Sequence, residues 1–504
     1  MLLSYLVPAA LFGLTALARQ RTFTTTSQAE SVHTLSSSIP PPDHPDGSSF
    51  TTFKHTSFPG HGIRIKHVEK GWCEKNAATY TGYIDVDGYG ESLFFYFFES
   101  RDKPAEDDVI FWINGGPGAS SALGLFMELG PCRITPENGN SLVDNPDSWN
   151  NHANIFFLDE PSGVGFSFNE NGQLLHTRTE QAAVDVGNFV QMWFETFSEF
   201  KGRKFHMAGE SYGGRYLPLF ASAVLDGNMY AEARNVTPVN LQSVMIGNGW
   251  TDTVTMMEGH VEQQCSSESG VKAIQSIGTC VALYEALPLC LEMLEKDCRH
   301  RFDDRRCGLA VDYCEGTIIG AFRKTGRNWY DISEKCEAGV CYPQALSNAL
   351  DEYLNRNSTL KTLGIDPHWT GPWVSSSAGV AASMGGIASS PSMDLHHKTY
   401  LYVAGLLERG VRVLVYAGKV DFACNFIGVR KWVERLSWSG SKAYVASEER
   451  PWYLPGSKDI AGEVRTGGNG LTFATVRGAG HLVPLRKPKE AEHMLMKWIR
   501  DEEF

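Results

Sequence analysis

The sequence predicts an α/β protein with a mostly parallel central sheet and a disulfide-stapled insertion. Three observations carry this. From about Thr79 onward, short apolar runs alternate with stretches of helical spacing. Several of those runs end in glycine-rich loops, the punctuation expected at strand ends. Eight of the 11 cysteines crowd between Cys265 and Cys341, where the alternation stops.

The chain opens with MLLSYLVPAALFGLTALARQ, an apolar run followed by Ala16-Leu17-Ala18. The A-x-A pattern marks residues 1–18 as a cleaved secretory signal peptide. No other stretch reads as long and apolar enough to span a membrane, and the C-terminus (Asp501-Glu502-Glu503-Phe504) has no anchoring tail, so a soluble product without a membrane anchor is expected. Residues 19 to about 60 are rich in Ser, Thr and Pro without periodicity and read as a propeptide or disordered lead-in. The catalytic domain is expected over 61–504.

Tyr83–Val86 and Ser92–Phe98 read as paired strands around a glycine-containing turn. Val109–Ile113 is a buried strand running into Asn114-Gly115-Gly116-Pro117-Gly118, and Asn154–Asp159 is another strand. Thr179–Phe200 has helical spacing and leads to a strand at Lys204–Ala208. Later strands are expected at Leu241–Ile246, Val411–Tyr416 and Leu471–Val476. Between about Thr251 and Tyr342 the rhythm is lost, which marks the cysteine block as an insertion. Its spacings contain no C-x-x-C pair, so disulfides are favoured over zinc. Eight cysteines allow 105 pairings, and spacing alone leaves them open.

Composition narrows the function classes. At 42% hydrophobic and 11% aromatic residues the chain can bury a large core. A formal charge of −13, without a basic run, argues against nucleic acid as a partner. No H-E-x-x-H motif is present, so neither a metal nor another cofactor is expected. Two N-x-S/T sequons, at Asn235 and Asn357, are candidate glycosylation sites if the chain enters the secretory pathway.

The central motif is Gly209-Glu210-Ser211-Tyr212-Gly213, between a buried strand and a helix expected to begin near Tyr216. With 50 glycines in 504 residues the pattern alone is weak; the strand–turn–helix setting makes it a nucleophile elbow. A serine hydroxyl needs a base, and the base an orienting acid. Two later strand ends supply them in the chain order of the α/β-hydrolase fold: Asp421 after Val411–Tyr416, and His481 after Leu471–Val476. The oxyanion needs donors. Backbone N–H groups of Tyr212 and of Gly116, in the glycine-rich loop, are the candidates.

The segments WINGGPGASS (112–121), FLDEPSGVGFSF (157–168), GESYGGRY (209–216), IGNGWTD (246–252), VYAGKVDFACN (415–425) and GAGHLVP (478–484) together resemble the serine carboxypeptidase family. The resemblance runs from about residue 70 to the end. It implies that Asn114, Glu128 and Glu210 bind the terminal carboxylate of a peptide, with Trp112 supporting them. Two ionised glutamates would repel that carboxylate, whereas crowded carboxyls with raised pKa values can donate to it; peptidase activity is therefore expected to decline as pH rises. The resemblance also implies the pairs Cys265–Cys280, Cys290–Cys314, Cys298–Cys307 and Cys336–Cys341, with Cys424 as a free thiol. Cys73 and Cys132 remain and are expected to pair with each other. The chain departs from the family at Ala119, where Ser or Cys is usual. In a fungal member that Cys is bonded to a later one, and the region near Ser375 to Ser377 has no Cys here. Leu482 stands where the same member has Met, in the leaving-residue pocket.

The function implied is a serine-type carboxypeptidase of the secretory pathway, extracellular or vacuolar. The other readings are an acyltransferase or esterase of the same family, which uses the same acyl-enzyme, and a non-catalytic binding protein on this fold. The intact Ser211, His481 and Asp421 weigh against the last.

Overall fold

The computed structural model describes residues 50–504 apart from 87, 89, 137–140, 175, 337–340, 342 and 386–391. The expected signal peptide and residues 19–49 of the lead-in lie outside these residues.

In chain order the strands are β1 (Thr51–Lys54), β2 (His61–Val68), β3 (Thr79–Val86), β4 (Glu91–Phe98), β5 (Val109–Ile113), β6 (Cys132–Thr135), β7 (Ser141–Asp144), β8 (Asn154–Leu158), β9 (Phe168–Asn169), β10 (Lys204–Ser211), β11 (Asn240–Gly249), β12 (Arg327–Asn328), β13 (Asp331–Lys335), β14 (Arg412–Gly418), β15 (Arg450–Tyr453), β16 (Ile460–Gly467) and β17 (Leu471–Val476). The main sheet runs β1-β2-β3-β4-β8-β5-β10-β11-β14-β17-β16-β15, with β9 against β4. Its centre, from β8 to β17, is parallel throughout. Both flanks are antiparallel, because short connections between sequence neighbours form hairpins whereas parallel neighbours need a crossover.

Alternation along each central strand sends side chains to two cores. Val109, Phe111 and Ile113 of β5 join one; Ile110 and Trp112 join the other. The first core is covered by helices Thr179–Thr196, Gly213–Asn228, Thr253–Cys265 and Phe426–Arg435, the second by Gln344–Leu354 and Pro488–Ile499. Strands buried on both faces read as unbroken apolar runs, which is why β5, β8 and β17 were legible from sequence.

Four expectations are corrected. The lead-in does not extend to residue 60: Thr51–Lys54 is an edge strand paired with Gly62–Ile65, and four residues are too few to display a period. The helix after the elbow starts at Gly213 rather than near Tyr216. The excursion between β11 and β14 runs past Tyr342, since among the described residues no strand between Gly249 and Arg412 joins the main sheet. Its first helix is not a separate module either, because Met256, Met257 and Val261 lie in the first core. Finally, the helical stretch Ile277–His300 is long and apolar enough, by length and composition, to cross a membrane. Isolated Glu285 and Glu292 interrupt the run to the eye but not its average. Disulfides from Cys280, Cys290 and Cys298 tie this stretch into the insertion.

All five disulfides join the expected partners: Cys73–Cys132, Cys265–Cys280, Cys290–Cys314, Cys298–Cys307 and Cys336–Cys341. Cys424 is free and buried. Asn235 and Asn357 are both exposed.

Candidate active site

The C-terminal ends of parallel strands gather polar residues in such sheets because the loops leaving them converge on one rim. Here β10 ends in Ser211, β5 leads into Asn114, β14 leads to Asp421 and β17 to His481. Ser211 has φ 61°, in the left-handed region that costs a non-glycine residue about 1–3 kcal/mol. Neighbouring glycines make the turn possible. A Cβ on Gly209 would stand 2.3 Å from the Ile113 carbonyl oxygen, and one on Gly214 would stand 2.7 Å from the Trp250 nitrogen. The second glycine of the motif, Gly213, has ordinary space, its nearest contact being 3.6 Å. Close packing of helix on sheet therefore falls to Gly214. The carbonyl of Ser211 accepts from Trp250 N–H at 2.9 Å, which holds the elbow against the end of β11.

His481 Nδ1 lies 2.7 Å from Asp421 Oδ2. The fully buried Asp421 carboxylate is held from several sides. Oδ1 accepts from Ala423 N–H at 2.9 Å; Oδ2 accepts from Asn248 Nδ2 at 2.8 Å and Cys424 N–H at 3.1 Å. Such donors hold the carboxylate in one orientation, and its contact with Nδ1 sets the imidazole tautomer. His481 N–H donates to the Tyr330 carbonyl at 2.9 Å, and the two rings lie 4.8 Å apart. Burial, with the charges of Asp421 and Glu210, pushes the Cys424 thiol well above its ordinary pKa, so it is a poor thiolate.

Ser211 and His481 line a cavity of about 370 Å³ together with Asn114, Gly116, Glu210 and Leu482. Tyr330, Gln344 and Ser376 of the long excursion also line it. The glycine-rich loop lies directly on the elbow, for a Cβ on Gly115 would stand 2.2 Å from the Tyr212 nitrogen. Gly116 has φ 109°, a conformation that favours glycine. Both candidate oxyanion donors therefore flank the Ser211 turn. Asp159 anchors the far end of the loop, accepting from Ser120 Oγ at 2.6 Å and Ser121 N–H at 2.9 Å. Burial raises its carboxyl to about 6 against these hydrogen bonds.

The four residues implied as carboxylate readers form one chain of contacts. Trp112 Nε1 donates to Asn114 Oδ1 at 2.8 Å, and Gly124 N–H donates to the same oxygen at 2.9 Å. With its oxygen so fixed, Asn114 turns Nδ2 to Glu210 Oε1 at 2.9 Å. Glu128 stands beside Glu210, fully buried in the turn Gly124–Leu129. Neither Glu128 oxygen has a well-aligned hydrogen-bond partner among the described residues. Burial, reinforced by the charge of Glu128, pushes Glu210 well above the ordinary carboxylate range; burial likewise raises Glu128. A pair of this kind is protonated at acidic pH and donates hydrogen bonds.

Where the family resemblance leads one to look for a disulfide beside Ala119, the chain has backbone pairing. Ala119 bridges Ser376, Ser120 N–H donates to the Ser375 carbonyl at 3.0 Å, and Ser377 N–H to that of Gly118 at 2.8 Å. Sequence reasoning also missed Asn248, Asp159 and Tyr330. The first two lie in blocks that carry the resemblance, IGNGWTD and FLDEPSGVGFSF, and that was the signal available. Tyr330 lies in the insertion, where no periodic pattern pointed to it.

Comparison with known proteins gives the family and the fold. The chain is 36% identical over 445 residues to "Carboxypeptidase Y homolog A" of Trichophyton rubrum, covering 87% of this chain and 77% of that protein. It is 38% identical over 444 residues to carboxypeptidase Y of Candida albicans, covering 88% of this chain and 77% of that protein. Among solved structures it is similar to Kex1Δp, a prohormone-processing carboxypeptidase from Saccharomyces cerevisiae, with a TM-score of 0.72 at 22% identity over 84% of this chain and 92% of that one. That likeness speaks for the fold. The family model for serine carboxypeptidase matches residues 71–501, and the chain belongs to that family.

Proposed function

We propose that this serine carboxypeptidase releases C-terminal amino acids through an acyl-enzyme on Ser211, and that it works best at acidic pH. The observation that carries the second half is the buried Glu128–Glu210 pair, linked through Asn114 to the cavity that Ser211 and His481 line. A peptide would enter with its terminal carboxylate toward Asn114 and the protonated pair, which sets its last peptide bond over Ser211.

Ser211 Oγ then attacks the scissile carbonyl carbon while its proton passes to His481. Asp421 holds the imidazole and stabilises the imidazolium. The N–H groups of Gly116 and Tyr212 take the negative charge that develops on the carbonyl oxygen. The C–N bond breaks as His481 returns the proton to the leaving amine, and the free amino acid departs. Water, deprotonated by His481, attacks the ester carbonyl; the C–Oγ bond breaks as His481 returns the proton to Ser211, and the shortened peptide leaves as its carboxylic acid. Leu482 lines the cavity, and the resemblance places it on the side of the leaving residue.

The expected leader at 1–18, the five disulfides and the exposed sequons at Asn235 and Asn357 support a secretory-pathway enzyme, extracellular or vacuolar.

The test is release of amino acids from a blocked dipeptide and from its C-terminal amide across acidic to neutral pH, for wild type and Ser211→Ala. Preferential cleavage of the free acid at low pH, lost in Ser211→Ala, is expected. Absence of release by folded, processed enzyme would overturn the reading in favour of transfer to another acceptor.

A further inference from the structure

Away from the active site, five titratable side chains from five parts of the chain meet in the interior: His61 at the start of β2, Glu91 at the start of β4, Glu160 just after β8, His176 in a loop, and Asp185 on the helix Thr179–Thr196. Glu91 and Glu160 are 1% exposed and His176 is 8% exposed. Buried charges are normally paired or hold a metal ion. No lysine or arginine forms an ion pair with these three carboxylates among the described residues. Both oxygens of Glu160, Oε2 of Glu91 and Nδ1 of His176 lack a hydrogen-bond partner among the described residues.

The imidazole gives the cluster its direction. His176 Nε2 lies 3.2 Å from Asp185 Oδ2, and Asp185 Oδ1 lies 3.5 Å from His61 Nε2. A proton on Nε2 donated to Asp185 leaves the Nδ1 lone pair free. Nδ1 points at the two glutamates, 3.7 Å from Glu91 Oε1 and 3.9 Å from Glu160 Oε1. A carboxylate that orients a ligating histidine in this way recurs behind zinc sites. With metal–ligand bonds of about 2.0–2.2 Å, tetrahedral ligands stand ~3.4 Å apart, so His176 Nδ1 is within a few tenths of an ångström of that spacing from each glutamate.

We propose that His176 Nδ1, Glu91 and Glu160 bind a divalent cation of the zinc class, with Asp185 orienting His176. The mixed imidazole and carboxylate donors suit zinc better than calcium, which takes six or more oxygens. The role is structural. The cation ties the loop carrying His176 to the strand ends of β4 and β8, next to Asp159, which anchors the oxyanion loop.

Metal content and affinity test this directly. Purified enzyme is stripped with chelator near neutral pH, dialysed against micromolar Zn²⁺ and analysed by elemental mass spectrometry, with thermal unfolding run in parallel. Wild type is expected to retain one equivalent per chain and to unfold at higher temperature with Zn²⁺ than with chelator. Glu160→Gln, which keeps side-chain shape, is expected to weaken binding by at least a hundredfold. Asp185→Asn should weaken it by about 10–100-fold. Asp421, Cys424 and His481 also converge closely enough to hold an ion, so Co²⁺ serves as a second probe. At the proposed site it gives no thiolate charge-transfer band, whereas at Cys424 it would. Wild type that takes up no stoichiometric Zn²⁺, or Glu160→Gln that binds it as tightly, overturns the proposal. So does cobalt with a thiolate band.

Discussion

The phenol of Tyr212 donates to Asp394 Oδ2 at 2.5 Å, across 182 residues of sequence. The same carboxylate accepts from Thr179 Oγ1 at 2.5 Å and pairs through Oδ1 with Arg215 Nη2 at 2.8 Å. The residue whose backbone serves as a candidate oxyanion donor is thus anchored by its side chain to an ion pair that is itself buried. Asp394→Ala takes away the buried partner of Arg215, leaving it only the more exposed Glu180 at 2.7 Å, and should cost about 3–5 kcal/mol. Tyr212→Phe removes one hydrogen bond to a charge and should cost about 1.5–3 kcal/mol. Urea unfolding of both variants checks the order, and a larger loss in Tyr212→Phe contradicts it.

Asn248 binds Asp421 Oδ2 through Nδ2 and accepts from Gly418 N–H at 3.1 Å through its other arm. Asn248→Ala should lower kcat/KM by roughly tenfold to a hundredfold, the loss of about 1.5–3 kcal/mol from a charged hydrogen bond. Asp421→Asn, which upsets the imidazole tautomer, should lower kcat by about 10⁴. Steady-state kinetics on one peptide substrate measures both, and equal losses argue against Asn248 acting through Asp421.

Activity toward a free C-terminal carboxylate should fall as pH rises through about 7, where Glu128 ionises beside Glu210. Ionisation places a second negative charge against the substrate's own, so the effect belongs in KM. An ester or amide without a terminal carboxylate should not show that rise. Superimposable KM profiles for the two substrates exclude the glutamate pair as carboxylate readers.

The same buried carboxyls bear on stability. Glu210 binds its proton more tightly folded than unfolded, so above the ordinary carboxylate pKa the native state holds more protons and stability falls with rising pH. The slope is about 1.4 kcal/mol per pH unit for each such group until it ionises in the fold. Glu210→Gln should flatten the decline between about pH 5 and 7 in thermal unfolding curves. An unchanged slope shows that Glu210 already shares its charge in the native state.

Much of this was legible in the chain. Val109–Ile113 and Leu471–Val476 announced themselves because both faces of each strand are buried. Ser211, Asp421 and His481 follow strand ends in the order the fold requires. The edge strands β1 and β15, and β16 beside the latter, did not stand out: each has solvent-facing positions, and β1 spans only four residues. Glu128 was recoverable only through family resemblance, since burial and proximity to Glu210 are tertiary facts. The cluster around His176 had no signal at all, because its members are scattered from residue 61 to residue 185 and meet only when β2, β4, β8 and the helix Thr179–Thr196 are assembled.

The backbone pairing of Gly118–Ser120 with Ser375–Ser377 has a consequence for access. Hydrogen bonds of this kind are worth about 0.5–1.5 kcal/mol each, so thermal motion parts and re-forms them where a covalent cross-link would persist. The mouth of the cavity can therefore widen for a bulky chain end and settle again without any electron transfer. That contact is then indifferent to the reducing power of the surroundings, whereas the Cys336–Cys341 cross-link, whose Cys341 also lines the cavity, is not.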